Sequence, residues 1–146
     1  MKLAHTITLS CFVKKGEDEE SLRQALIGMV PLDLELEKIK VHKTVAEGFE
    51  NKIIILEITL EKESHTTKFI DHLKKELGSA QCETIASQEN RVDDECYFYL
   101  RLDKKKLLEK KYVVTDSGDC IHVKMSIAAF PKKREAAVAV VKKIFA

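Results

Sequence analysis

Four cysteines and five histidines are the residues of this sequence best suited to bind a metal ion. Cys120 and His122 are the one close Cys/His pair, and on a strand this spacing points both side chains to the same face. A zinc site needs further ligands, and no second pair has zinc-ligand spacing. His65 and His72 lie on one face of a predicted helix, where structural or solvated roles are more common. We therefore expect no metal site and no cofactor.

Catalytic motifs are equally hard to find. No serine or cysteine has the flanking glycines that would place it on a strand–turn–helix elbow. Glycine-rich phosphate-binding loops are absent from the sequence as well. The acidic runs at 17–20 and 93–95 are explained more simply by the positive end of a helix dipole and by a solvated loop. The sequence therefore predicts a protein that is not an enzyme.

Charge is distributed unevenly along the 146 residues of the chain. Residues 1–100 contain 13 Lys and Arg against 19 Asp and Glu, and residues 101–146 contain 12 against 5, so the net charges are −6 and +7. Such an asymmetry indicates a polyanion or an acidic protein as partner. The basic residues form two groups, one around a predicted short helix and one at the start of the last predicted helix: Lys104, Lys105, Lys106, Lys110, Lys111, Lys132, Lys133 and Arg134.

Nucleic acid is the polyanion that these residues fit. Lysines at this density neutralise phosphates and release counterions, which gives affinity independent of sequence. The predicted strand at 96–102 places Tyr97, Tyr99 and Arg101 together on the face opposite its core residues, where they can stack unpaired bases. Two alternatives also fit these residues. The lysines could be the solvated side of ordinary helices, and the tyrosines could cover the sheet or a homodimer interface.

Hydrophobic periodicity predicts the elements that position these residues. Their order is β-α-β-β-α-(α)-β-(α)-β-β-α, which is typical of an α+β two-layer sandwich: a mostly antiparallel sheet with helices on one face. No linker or repeat divides the sequence, so we expect a single domain over residues 1–146. The expected strands are 5–13, 34–45, 52–62, 96–102, 112–115 and 120–128, and the expected helices are 17–29, 64–77, 80–88, 103–108 and 131–146.

The compartment follows from the cysteines and the N-terminus. The first residues contain no apolar run long enough for a signal peptide, and the longest apolar run, 53–56, is far too short to span a membrane. The cysteines form no C-x-x-C pair, which favours free, mostly buried thiols in a reducing environment. We expect a cytoplasmic protein without membrane contact.

The run 97–104, Tyr-Phe-Tyr-Leu-Arg-Leu-Asp-Lys, resembles the archaeal family of predicted RNA-binding exosome-subunit proteins. Arg101, Asp103 and Lys104 match that family's Arg-x-Asp-Lys-Gln junction between strand and helix, with Lys105 in place of the glutamine. The segments 16–20 and 47–51 are also similar. The resemblance implies a two-layer fold similar to the large-subunit ribosomal protein that binds the small ribosomal RNA of the central protuberance. It also implies RNA binding, with the exosome or other RNA-processing proteins as partners.

The residues and the resemblance together predict a non-catalytic RNA-binding protein, an accessory of RNA processing or degradation. It would hold phosphates through its basic last third. The alternative is a protein-interaction module, or a homodimeric subunit of an RNA-processing assembly, that does not touch RNA itself.

Overall fold

A five-stranded antiparallel sheet with helices on one face makes up the fold, as predicted. The computed structural model describes residues 2–48 and 51–146. Its strands are β1 (Ala4–Val13), β2 (His42–Gly48), β3 (Asn51–Leu60), β4 (Tyr97–Asp103) and β5 (Cys120–Ile127), in the spatial order β2-β3-β1-β5-β4. Its helices are α1 (Glu19–Gly28), α2 (Glu63–Ser87), α3 (Lys104–Leu108) and α4 (Arg134–Ile144).

The central strand β1 shows how the sheet acquires two different faces. Ile7 and Leu9 are fully buried, whereas Thr8 and Phe12 point to the other side and keep contact with solvent. Since successive side chains of a strand alternate, one whole face of the sheet is apolar and packs against α1 and α2. The opposite face has no helix over it within the described residues, and all four cysteines are free and buried, as predicted.

Helix α2 bends where the sequence predicts a helix end. Gly78 has φ +80° and ψ 163°, a conformation that glycine adopts far more easily than other residues. Two helical segments therefore follow one another, and the predicted end at Leu77 is confirmed. Serine is a common N-cap, so Ser64 at the start of the predicted helix is expected to cap it, but Lys62 occupies that position and gives no side-chain cap. Among the described residues, none of the helices is long and apolar enough to cross a membrane.

Only residues 42–45 of the strand predicted over 34–45 are in a strand, and residues 34–41 are not. The chain turns instead, and the N–H of Ile39 donates to the carbonyl of Leu34 at 2.8 Å. The apolar alternation of this segment changes parity between Leu36 and Ile39. The turn accounts for it, because it packs both Leu34 and Ile39 against the core. The strand β2 begins only at His42.

Strands β2 and β3 form a hairpin, in which Gly48 is paired with Asn51. The segment 47–51, where the sequence predicts a turn between two strands, includes Phe49 and Glu50, which lie outside the described residues. All seven residues of β2 are exposed. The hairpin therefore extends from the side of the sheet with little packing around β2.

Residues 112–115 do not form the separate strand that the sequence predicts. They run instead along one half of the outer edge of β4. The N–H of Asp103 donates to the carbonyl of Val113 at 2.8 Å, and the N–H of Thr115 donates to that of Arg101 at 3.0 Å. These bonds stop after a few residues, since the chain turns away toward β5. The segment therefore supplies hydrogen-bond partners to the backbone at the edge of β4, but it does not add a strand to the sheet.

The other half of that edge is covered by residues 91–93. The N–H of Asp93 donates to the carbonyl of Tyr97 at 3.0 Å, and Nη1 of Arg91 donates to the carbonyl of Tyr99 at 3.4 Å. The backbone on the outer side of β4 thus has hydrogen-bond partners near both ends of the strand.

Helix α4 begins at Arg134 rather than at the predicted Pro131. Lys133 is the N-cap, with φ −135° and ψ 149°, so its backbone is extended. Lys132 and Lys133 therefore precede the helix. The prediction of a helix from residue 131 placed them in its first turn, and that placement is wrong.

Candidate nucleic-acid interface

The open face of the sheet carries Tyr97, Tyr99 and Arg101 side by side on β4. The register places Tyr99 opposite Lys124 and Arg101 opposite His122 on β5. Their neighbours in sequence, Phe98, Leu100 and Leu102, point into the core. The predicted grouping of the two tyrosines and the arginine on one face is therefore confirmed.

Lys124 lies over the ring of Tyr97 and beside that of Tyr99. Its Nζ is 4.2 Å from the centroid of the Tyr97 ring and 5.9 Å from that of Tyr99, within the range of cation–π attraction. The two centroids are 6.5 Å apart, and the rings are tilted by 44°. Tyr99 is 41% exposed, so part of its ring surface is open to a ligand.

Asp93 holds this pair of tyrosines in place through hydrogen bonds. Its Oδ2 accepts a hydrogen bond of 2.9 Å from the hydroxyl of Tyr99, and its Oδ1 accepts one of 2.9 Å from the N–H of Tyr97. Partial burial favours the neutral carboxyl, but these hydrogen bonds outweigh it and hold the pKa of Asp93 below its ordinary value. The pKa of the Tyr99 hydroxyl is raised, first by burial and then by the bond to Asp93.

Arg101 lies next to Tyr99 on the open face of the sheet. Its Nη1 donates to the carbonyl of Asp116 at 3.0 Å, which leaves the rest of the guanidinium exposed. Burial lowers the pKa of the neighbouring His122, and the charge of Arg101 lowers it further. The ring of His122 makes an edge contact with Phe12, at 6.0 Å between centroids. This face therefore combines aromatic rings with two fixed cations, Arg101 and Lys124.

Sequence reasoning missed Lys124, His122, Phe12 and Asp93 as parts of this face. Lys124 and His122 could have been found, because the alternation of the strand predicted at 120–128 puts them opposite its core residues. Their position beside the tyrosines depends on the pairing of β5 with β4, which the sequence does not reveal. The role of Asp93 depends on a loop conformation that has no sequence pattern.

Lys104 is turned inward, unlike the other basic residues of its group. It is 4% exposed, and its Nζ donates to Oδ1 of Asp119 at 2.6 Å, to Oε1 of Glu17 at 3.1 Å and to the carbonyl of Phe12 at 2.8 Å. Burial lowers the pKa of an ammonium group, but the bonds to Asp119 and Glu17 outweigh it and raise the pKa of Lys104. All three of its donors are used inside the protein.

The remaining lysines divide between the two ends of β4. Lys105, Lys106, Lys110 and Lys111 are exposed on and just after α3, beyond Asp103 at one end. Lys132 and Lys133 are exposed after β5, whose last residues pair with the beginning of β4. A strand rises about 3.4 Å per residue, so a strand of this length separates the two groups by roughly 20 Å. The two groups thus lie at opposite ends of β4 and do not meet at one point.

Arg134 fastens α4 to the body of the protein. Its Nε donates to the carbonyl of Val92 at 3.0 Å, and its Nη2 donates to that of Glu89 at 2.8 Å. Lys142 forms an ion pair with the side chain of Glu89 at 3.1 Å. Arg134 thus anchors α4 through hydrogen bonds to the backbone.

Cys120 and His122 lie close together, as their spacing predicts, with 3.6 Å between Sγ and Nε2. Burial raises the pKa of the Cys120 thiol, which disfavours the thiolate that binds metals. Residues 2–48 and 51–146 contain no group of three or more His, Cys, Asp and Glu side chains placed to hold a metal ion.

Comparison with known proteins shows which family contains this chain. A family model described as RNA binding matches residues 6–127. The chain belongs to this RNA-binding family. The predicted resemblance is confirmed at that level.

Relatives of the RNA-binding family match nearly the whole chain. RNA-binding protein PAB1135 of Pyrococcus abyssi is 29% identical over 141 residues, covering 95% of this chain and 92% of that protein. The crystal structure of AF2318 from Archaeglobus fulgidus, of the DUF54 family, has a TM-score of 0.85 at 28% identity and covers 97% of this chain and 99% of that one. Mth689, a DUF54 protein from Methanothermobacter thermautotrophicus, has a TM-score of 0.79 at 30% identity and covers 99% of both chains.

The segment shared with the RNA-binding family runs from β1 to β5. It contains Tyr97, Tyr99, Arg101 and Lys124 and ends before Lys132. The open sheet face lies inside the family match, whereas the second basic group lies outside it.

Proposed function

We propose that this protein is a non-catalytic RNA-binding protein that holds unpaired RNA on the open face of β4 and β5. Tyr97 and Tyr99 stack on bases, and Arg101 and Lys124 contact phosphates or base edges beside them. The observation that carries this proposal is a lysine beside two neighbouring tyrosines, within cation–π distance of both rings, on a face that no helix of the described residues covers. RNA-binding sheets use this combination, since aromatic faces accept any unstacked base and fixed cations hold the backbone.

The exposed lysines extend this site along the strand direction. Lys105, Lys106, Lys110 and Lys111 lie at one end of β4, and Lys132 and Lys133 lie at the other. An RNA strand that crosses the tyrosines along β4 meets one group as it enters and the other as it leaves. Lys104 is left out of the contact surface because all three of its donors are engaged inside the protein, and Arg134 is left out because its Nε and Nη2 anchor α4.

A titration of labelled single-stranded RNA by fluorescence anisotropy tests the proposal. Tyr97→Ala and Tyr99→Ala should each weaken binding by about 1–3 kcal/mol, the usual value for one base stacked on an aromatic ring. Leu36→Ala is the matched control, because Leu36 is 77% exposed and lies in the turn before β2, away from β4. A fully paired duplex should bind less tightly than the single strand. Absence of binding at low salt, or unchanged binding by both tyrosine variants, would rule the site out.

A docking role without RNA contact is the second candidate, and the separation of the two basic groups favours it. In that case the lysines at the ends of β4 would meet acidic surfaces of an RNA-processing assembly such as the exosome. A pull-down distinguishes the two functions. A protein partner that stays bound after nuclease treatment, combined with no RNA affinity of the isolated chain, supports docking.

A further inference from the structure

The outer edge of β2 is open. Within residues 2–48 and 51–146, the backbone of β2 has no hydrogen-bonded partner other than β3. The strand contains no proline, and its pairing with β3 is regular over all seven residues from His42 to Gly48. A long, regular edge strand is a template for adding another strand, and natural sheets usually block such an edge.

The sequence of β2 is complementary to itself when it is read in the opposite direction. Val45 is the middle residue of the strand, with Lys43 two residues before it and Glu47 two residues after it. If two copies pair antiparallel over the whole strand, Val45 meets Val45 of the second copy. Each Lys43 then meets a Glu47 of the other copy, and all three lie on the same face. The register that uses the full strand is therefore also the register that pairs opposite charges.

From this match we propose that the partner of β2 is β2 of a second copy of this chain. The two strands pair antiparallel about a twofold axis through Val45 and join the two sheets into one. Such a contact is isologous, so each copy contributes the same residues to it. This proposal does not depend on RNA binding, because it uses the opposite edge of the sheet from Tyr97 and Tyr99.

The side chains around the edge support the pairing. Val45 is 43% exposed, so a strand added beside β2 covers apolar surface at the middle of the contact. Glu47 forms no ion pair within the described residues. Nζ of Lys43 is 3.0 Å from Oε1 of Glu19 in its own chain, and its ammonium group keeps further protons for a second carboxylate.

Charge reversal tests the register directly. Lys43→Glu and Glu47→Lys each place like charges opposite one another at both ends of the contact. In sedimentation equilibrium, the full-length wild type should have twice the 16.6 kDa mass of one chain. Each single variant should raise the dissociation constant on the order of tenfold or more, since both ion pairs of the contact become repulsive.

Two further samples separate the proposed contact from a general effect of charge. The double variant Lys43→Glu/Glu47→Lys restores both ion pairs and should dimerise like the wild type. An equimolar mixture of the two single variants should form a heterodimer, because every charge contact in it is again attractive. Glu19→Gln is the control for the contact within one chain and should leave the dimer intact.

A wild type that stays monomeric up to high micromolar concentration would overturn the proposal. So would a dimer that both single variants retain, because it would lie on another surface. If the single variants are monomeric but neither the double variant nor the mixture associates, the antiparallel register is wrong. Binding of β2 to an extended segment of a different protein, with no self-association, would also overturn it.

Discussion

Nζ of Lys104 lies 2.6 Å from Oδ1 of Asp119, and this contact ties the first residue of α3 to the loop before β5. The neighbouring residues of the Arg-x-Asp-Lys junction are also used within the fold. Asp103 caps α3 by accepting a hydrogen bond of 2.9 Å from the N–H of Lys106, and Arg101 donates to the carbonyl of Asp116. The motif that suggested RNA recognition thus shapes the end of β4, and its Arg101 also lies exposed on the open face of the sheet.

Replacing Lys104 with methionine should destabilise the fold by about 2–3 kcal/mol, because Asp119, Glu17 and the carbonyl of Phe12 lose a charged donor. Urea unfolding followed by circular dichroism measures the difference. Lys105→Met is the control, since that side chain is exposed and its loss should change stability by less than about 0.5 kcal/mol. Equal stabilities of the two variants would show that the buried contact is not stabilising.

Acidification should weaken the same contact. Hydrogen bonds from Lys104 and then from Lys14 hold the pKa of Asp119 below its ordinary value of 3.8. A carboxyl with a lower pKa in the folded state stabilises the fold above its unfolded pKa, and that contribution is lost as the pH falls through the folded value. Wild type should exceed Asp119→Asn in unfolding free energy by a constant amount above about pH 5, and the difference should shrink below about pH 4. Urea titrations at a series of pH values measure it, and a constant difference down to the lowest pH would contradict this assignment.

Lys124 should contribute a charge to RNA binding as well as a contact to the tyrosines. Lys124→Met should weaken binding of single-stranded RNA and should reduce the slope of log affinity against log salt by about 0.7–1, as expected for one lost phosphate contact. Lys124→Arg keeps the charge and the contact with the aromatic rings, so its slope should match the wild type. An unchanged slope in Lys124→Met would mean that this lysine only orders the tyrosines.

Gly78 should tolerate substitution poorly although there is space around it. A Cβ placed there meets nothing within 4 Å, but the backbone has φ +80°. Gly78→Ala should therefore cost about 1–3 kcal/mol of backbone strain. Gly28 offers the matched control, because a Cβ there also meets nothing within 4 Å and no positive φ opposes it. Gly28→Ala should be neutral or should stabilise by up to about 1 kcal/mol in the same urea experiment.

The sequence predicted most of the fold, because each strand with one buried face shows it in its alternation. The residues of β1 and β4 are clear cases, and Gly78 marks a helix end for a reason of backbone geometry. The predictions failed where apolar residues pack without regular structure. Leu34 and Ile39 contact the core from a turn, and residues 112–115 contact it while running along an edge.

The candidate site was predicted in part for a similar reason. Tyr97, Tyr99 and Arg101 share a face through the alternation of one strand, which a sequence shows directly. Lys124 joins them through the pairing of β5 with β4, which depends on the tertiary fold. The sequence also does not distinguish Lys104 from Lys105, because only the packing of Glu17 and Asp119 around the first of them turns it inward.

The coverage of β4 by residues 91–93 and 112–115 limits how far sheets of this protein can join. A sheet that grows without limit requires two free edges on each molecule, because every added copy must leave a free edge for the next copy. Here one edge is closed by the chain's own loops, and pairing through β2 uses up the other. Association by strand pairing would therefore end in a closed pair, and the protein can keep a long exposed strand without forming fibres.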